Sequence, residues 1–296
     1  MTRPLYGLIE AGGTKFVVGA AYGPQELIGV ERIETTTPVD TMAATLAVLR
    51  AIAAEHGTFA AVGIASFGPV DPDLASPRWG HVVETPKPLW SNTDLAGPVR
   101  AAFGCPVGFD TDVNGAVLAE YLWGAAQGVD VATYTTVGTG LGSGVIIDGR
   151  LVHGTRHPEM GHVRPVRHAA DTDFTGSCPW HGGCLEGLAC GVAISQRWGA
   201  SLERLGPEHV AHDVVAWYLA QLVITHQAVL AARRMIFGGG VMATPGLLDR
   251  VRRHAEGLAN GYFGQDASDY DAMVVAPALG DRAGVLGALA LAQRAA

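Results

Sequence analysis

The chain has 296 residues, of which 48% are hydrophobic and 16% charged, with a formal net charge of -8. That length and apolar share suit two compact lobes and exclude a disordered chain. The acid excess, without any Lys/Arg run, argues against nucleic acid or an anionic membrane as a partner. No apolar run is long enough to span a bilayer, and Met1-Thr2-Arg3-Pro4 leads into a strand-like run rather than a leader, so a cytoplasmic protein is expected. Four cysteines, two of them in one short motif, fit a reducing compartment; Cys105 and Cys190 read as ordinary buried thiols.

Leu5 to Ile9 reads as a strand, Lys15 to Ala21 as its hairpin partner, and Leu27 to Thr35 continues the sheet. Met42, Leu46, Leu49 and Ala53 fall at helical spacing. Ala61 to Ala65 and Pro106 to Asp110 are short strands, and Asp112 to Trp123 is a helix with Val113, Val117 and Tyr121 on one face. Tyr134 to Val137 and Gly144 to Ile147 form a second strand pair around a long glycine turn. The segment 154–183 is irregular, the kind of loop a metal orders. Pro207 opens a long helix through about Ala231, with the proline in its first turn. Met235 to Phe237 is a strand, Met273 to Val275 the last strand and Ala283 to Gln293 the last helix. Strand, glycine turn and strand at 5–21 recur at 134–147, which suggests two lobes of related build.

Four motifs carry chemistry. Glu10-Ala11-Gly12-Gly13-Thr14-Lys15 lies in a hairpin turn whose amides can form an anion-binding concavity, with Thr14 and Lys15 as further donors. An ordinary tight turn would look the same; a P-loop and a Rossmann fingerprint are both excluded by residue order. Gly138-Thr139-Gly140-Leu141-Gly142-Ser143-Gly144 has four glycines alternating with small residues, suited to the phosphates of a nucleotide. Phe237-Gly238-Gly239-Gly240 ends a strand and is expected to start a helix, a geometry for a nucleoside lying over backbone. In Asp110-Thr111-Asp112-Val113-Asn114, Asp112 is either a helix N-cap or a general base kept ionised by the helix N-terminus. Asn114 can orient a sugar hydroxyl or simply cap.

His162, Cys178, His181 and Cys184 are spaced as four ligands of one zinc ion. The plain alternative is two buried thiols and two surface histidines. A metal there would pin Glu159 and Glu186 at one edge of a site.

Taken together, Glu10 to Lys15, the Thr111-Asp112-Val113-Asn114 box, the 138–144 turn, Glu159-Met160-Gly161-His162 and the Cys178–Cys184 knuckle resemble the ROK family of sugar kinases. Ile64-Ala65-Ser66-Phe67-Gly68-Pro69-Val70-Asp71 and Thr85-Pro86-Lys87-Pro88 look like its bacterial fructokinase branch. The resemblance runs from residue 7 to about 290. It implies an α/β, two-lobed hexokinase/actin/Hsp70-like (ribonuclease H-like) duplicated fold with an inter-lobe active-site cleft. The lobes would be 1–113, joined by the returning helix at about 281–296, and 114–280. It implies an ATP-dependent hexose kinase making fructose 6-phosphate, with Mg²⁺, a structural Zn²⁺ and a homodimeric state; sugar and nucleotide would be the partners.

By the same resemblance Asp112 is the catalytic base, and Gly68, Thr111, Asn114, Glu159, His162 and Glu186 border the sugar. Gly12, Gly13, Thr14, Lys15, Gly138, Thr139 and Gly140 face phosphates, Gly239 and Gly240 the nucleoside, and His162, Cys178, His181 and Cys184 the zinc. The family's first loop often begins with Asp; Glu10 reaches one methylene further toward any water-held Mg²⁺. Glucokinase members usually carry Asn before the catalytic Asp, and Thr111 there favours fructose over glucose. The knuckle has His181 where many relatives have a third cysteine. Another hexose kinase of the family (for glucose, mannose or an N-acetylated amino sugar) is the alternative. A sugar-sensing regulator is another, but the first loop begins by residue 10 and no helix-turn-helix is expected ahead of it.

Overall fold

The computed structural model describes residues 3–171 and 173–296, so the reading of the Met1-Thr2 start lies outside the described residues. In chain order the elements are β1 (Leu5–Ala11), β2 (Lys15–Gly23), β3 (Glu26–Glu34), α1 (Pro38–His56), β4 (Phe59–Ser66), β5 (His81–Val82), β6 (Thr93–Asp94), α2 (Ala96–Phe103), β7 (Val107–Thr111) and α3 (Asp112–Trp123). There follow β8 (Val131–Val137), β9 (Leu141–Ile147), β10 (Arg150–Leu151), α4 (Leu185–Ala189), α5 (Gly191–Trp198), α6 (Val210–Leu230), β11 (Arg234–Gly238), α7 (Leu247–Ala259), α8 (Ala267–Met273), β12 (Val274–Val275) and α9 (Ala283–Ala295). No described helix is long and apolar enough to cross a membrane.

The chain divides into two units. The first holds the residues up to Gly124, with Leu151–His157 and Asp281–Ala296; the second holds Ala125–Arg150 and Pro158–Gly280. The first unit's sheet runs β3-β2-β1-β4-β7, antiparallel through β3, β2 and β1 and parallel through β1, β4 and β7. The second unit's sheet runs β10-β9-β8-β11-β12, with β8 antiparallel to β9 and parallel to β11, and β11 parallel to β12. Both sheets therefore follow one strand plan, which accounts for the repeat of strand, glycine turn and strand in the sequence.

The lobe boundary expected after residue 113 is corrected by packing. Helix α3 is buried almost all round, from Val113 through Glu120, and stays with the first unit. Its partner is α9: a Cβ on Gly287 would stand 2.5 Å from the carbonyl carbon of Gly115, so the two helices approach backbone to backbone. The returning helix at 281–296 joins this unit.

Three further expectations change. Helix α6 starts at Val210, not at Pro207, because the His209 ring accepts from the Ala211 amide at 3.2 Å and caps it. Gly238 to Gly240 lead into turns, and the next helix begins only at Leu247. There Gly239 has φ 90, and the amides of Val241 and Met242 bond back to Val137 and Gly239, which closes a turn. The last strand is Val274–Val275 alone, because Met273 ends α8.

Candidate active site and metal cluster

In the first unit, the register aligns Ala11 with Ser66 and Ser66 with Thr111, so the parallel strands β1, β4 and β7 end level. Three sequence motifs issue from that one edge: the Gly12–Lys15 turn, Phe67-Gly68, and Thr111-Asp112. Ligands of open α/β sheets bind at such carboxyl ends. The turn is closed by the Gly12 amide on the Lys15 carbonyl at 3.0 Å, and Gly13, Thr14 and Lys15 are exposed. The Gly68–Val70 segment is held at both ends: Thr85 Oγ1 donates to the Gly68 carbonyl at 3.3 Å, and His157 Nε2 accepts the Val70 amide at 3.1 Å.

The cap of α3 is Thr111, not Asp112. Thr111 Oγ1 accepts the Asn114 amide at 3.1 Å, and Asp112 is the first helical residue. Thr111 and Asn114 are both buried, Asn114 completely. Asn114 Nδ2 donates to Asp110 Oδ1 at 2.8 Å, so its side chain turns inward to a carboxylate. Both residues, read from the sequence as bordering the sugar, thus also tie the strand–helix corner together.

Asp112 accepts the Val113 amide at 2.8 Å and is otherwise partly exposed. Burial lifts its pKa from the ordinary 3.8 to about 6, against the pull of the Val113 and Asp112 amides. Glu10, at the end of β1, is lifted further, from 4.5 to about 7, by burial first and then by the charge of Asp112; Lys15 and Arg32 oppose the lift. The asymmetry has a simple order behind it. Asp112 ionises first, beside a neutral Glu10, and Glu10 must then ionise against the Asp112 charge. At neutral pH Asp112 is mostly ionised yet close enough to its pKa to exchange a proton efficiently.

In the second unit, β8 and β11 also end level, with Gly238 opposite Thr136. Two glycine turns meet there. The β8–β9 turn is pinned by the Gly138 amide on Gly140 at 2.9 Å, and the Val241 amide bonds Val137 at 2.9 Å. Gly239 lies against Val137, whereas a Cβ on Gly240 would meet open space. Glu186 Oε2 accepts the Leu141 amide at 3.0 Å and would lie 2.8 Å from a Cβ on Gly140. The carboxylate expected at the sugar thus braces the turn expected at phosphate.

His162, Cys178, His181 and Cys184 converge, with all four donor atoms within 4.8 Å of one another. His162 Nδ1 stands 3.3 Å from His181 Nδ1, 3.5 Å from Cys184 Sγ and 3.8 Å from Cys178 Sγ, and Cys178 Sγ stands 3.6 Å from His181 Nδ1. A tetrahedron with metal–nitrogen bonds of about 2.05 Å and metal–sulfur bonds of about 2.3 Å has edges of roughly 3.3 to 3.8 Å. These four separations match the edges of one four-coordinate site. His162 keeps Nε2 outside the cluster, 3.9 Å from Glu159 Oε2.

A second staple in this loop went unread in the sequence. Asp171 is fully buried and pairs with Arg167 at 3.0 Å and Arg197 at 2.7 Å, while the Tyr218 hydroxyl also donates to it. Asp110, His153 and His157 were likewise unread. Asp110 sits inside a quoted motif, but its partner His153 lies 43 residues away, beyond any local pattern.

Comparison with known proteins agrees with this geometry. Residues 6–295 match the ROK family. The chain is 48% identical over 293 residues to a fructokinase of Zymomonas mobilis, covering 98% of this chain and 97% of that one. It is 40% identical over 298 residues to a fructokinase of Streptococcus mutans, covering 99% and 98%. Among solved structures it is similar to a ROK family glucokinase from Streptomyces griseus in complex with glucose and AMPPNP, at a TM-score of 0.76 and 27% identity, covering 98% and 99%. The chain, with its twin five-stranded sheets and its level strand ends, belongs to the ROK family.

Proposed function

We propose that the protein is an ATP-dependent hexose kinase that phosphorylates fructose to fructose 6-phosphate. The observation that carries the reading is Asp112: a carboxylate on the first residue of α3, free of capping duty, with a pKa of about 6. Such a group accepts the proton of a sugar hydroxyl as that oxygen attacks the γ-phosphorus of ATP, and the ADP leaves on the opposite side. A modest base suffices, because the transition state of phosphoryl transfer is loose. Fructose is favoured over glucose by kinship: the fructokinases are 48% and 40% identical to the chain, the glucokinase 27%.

In this reading Gly68, Glu159, His162 and Glu186 border the sugar. The amides around Gly12, Gly13, Thr14, Lys15, Gly138, Thr139 and Gly140 receive phosphates, and Gly239 and Gly240 the nucleoside. Bound Mg²⁺ would offset charge on the β- and γ-phosphates, with Glu10 as the carboxylate that holds its water. The ion at His162, Cys178, His181 and Cys184 is zinc, since two imidazoles and two thiolates in a tetrahedron are a usual structural zinc set. Its part is to fix His162, and through the knuckle Glu186, relative to Glu159. The enzyme works as a cytoplasmic homodimer with no nucleic-acid partner.

The test is a coupled assay with Mg-ATP and a panel of fructose, glucose, mannose and N-acetylated amino sugars. The expected kcat/KM for fructose exceeds that for glucose by at least about tenfold, or 1.4 kcal/mol of transition-state discrimination. Equal or better use of glucose would reassign the sugar and leave the kinase.

A further inference from the structure

The segment Leu151–His157 leaves the second unit's sheet at β10 and packs with the first unit before the chain returns at Pro158. It carries His153 to the β7–α3 corner. There His153 Nε2 donates to Asp110 Oδ2 at 2.8 Å. The other Asp110 oxygen, Oδ1, accepts the Thr111 amide at 2.7 Å and Asn114 Nδ2 at 2.8 Å. Asp110 thus grips the residue before Asp112 and the residue two after it. Its side chain is 4% exposed and that of His153 37%. A buried carboxylate depends on its donors, and losing one costs more than the bond itself is worth.

We propose that His153 is a positioning residue for phosphoryl transfer, acting through Asp110 to hold the Thr111–Asn114 corner that presents Asp112. This rests on the reading of Asp112 as the base. His153 touches neither the base nor the sugar in this role. It fixes Asp110, Asp110 fixes the amide of Thr111 and the amide group of Asn114, and these fix the first turn of α3. Small displacements of a base cost rate far more than they cost binding. The signature is a fall in kcat with KM nearly constant.

The experiment compares His153→Leu, His153→Gln, Asp110→Asn and Asp112→Asn in the full-length protein, with kcat, both KM values and the thermal midpoint measured for each. Leucine fills the space without a donor; glutamine puts an N–H near the position of Nε2. His153→Leu should lower kcat about tenfold with KM for ATP and sugar within twofold. His153→Gln should recover to within about threefold of the parent. The pair His153→Leu/Asp110→Asn should be no worse than the poorer single variant, since both break one link. Equal loss in the leucine and glutamine variants, additive loss in the double variant, or an unchanged kcat in His153→Leu would each overturn the proposal. Should His153→Leu fail to fold, Asp110→Asn and His153→Gln carry the same comparison, and a parental kcat in Asp110→Asn overturns it. A fully active Asp112→Asn would instead remove the base, a result distinct from all of these.

Discussion

Asp112→Asn should destroy turnover and strengthen the fold. Lifting the Asp112 pKa from 3.8 to about 6 means that the folded protein disfavours the ionised carboxyl by roughly 3 kcal/mol. The sign follows from where each state holds its proton. Below pH 3.8 both folded and unfolded chains are protonated at this residue and nothing is lost. Between pH 3.8 and about 6 the unfolded chain has released the proton while the fold still keeps it, so stability falls as pH rises. Above that the full cost is present. Asparagine carries no charge, so it escapes the cost, and it also removes the smaller, Asp112-charge part of the lift on Glu10, whose main cause is burial. The expected gain is roughly 2–3 kcal/mol at pH 8, shrinking toward zero near pH 4. Urea unfolding of parent and variant at both pH values measures it. In the same variant kcat should fall by about two to four orders of magnitude, the span usual for loss of a general base. In the parent, kcat should fall about tenfold per pH unit below about 6. A variant no more stable at pH 8 than at pH 4 would refute the burial argument, and a variant that keeps its turnover would refute the role.

Other outcomes follow from the second unit and from the cap. Purified protein should carry about one zinc per chain, and Cys184→Ser should lose it and raise the KM for sugar; fully active protein without zinc by elemental analysis would dismiss the metal. Gly140→Val should raise the KM for both ATP and sugar, because the new side chain meets Glu186 as well as the approach to the turn; an effect on ATP alone would separate Glu186 from the sugar. Thr111→Ala should cost about 1 kcal/mol of stability as a lost N-cap. It should leave the fructose-to-glucose ratio within about threefold, and a swing toward glucose would return Thr111 to the sugar pocket.

What the sequence made legible was local. The two glycine hairpins could be read because strand alternation and turn residues lie side by side along the chain, and the structure has both as antiparallel pairs. The four-ligand knuckle was legible for the same reason, three of its donors falling within seven residues. Short helices were not. Helix α5 is capped by the Cys190 sulfur, which accepts the Ala193 amide at 3.5 Å, and cysteine is no usual capping signal. Helix α7 has a readable signal, with Leu247, Val251, Ala255 and Ala259 buried at every fourth position among charged neighbours. The supports of the site escaped because their partners are distant in sequence: Asp110 with His153, and Asp171 with Arg197 and Tyr218. A motif shows which residues stand at a corner, whereas only the fold shows what holds the corner still.

The offset of one residue between cap and base is where local structure turns into chemistry. Had Asp112 been the N-cap, its oxygens would have taken the amides of the next turn, and hydrogen bonds to the ionised form would hold its pKa low. A carboxylate so occupied is a poor acceptor of a sugar proton. Thr111 takes the capping duty with a neutral hydroxyl, at 3.1 Å from the Asn114 amide, and Asp110 takes the side chain of Asn114. Asp112 is left with the Val113 amide, in a buried setting that disfavours its charge. The fold therefore uses three polar residues in a row for three different tasks: Asp110 anchors, Thr111 caps, and Asp112 is kept near its proton. Moving any one of them by a single position would exchange these duties, which is why the order of the box matters more than its composition.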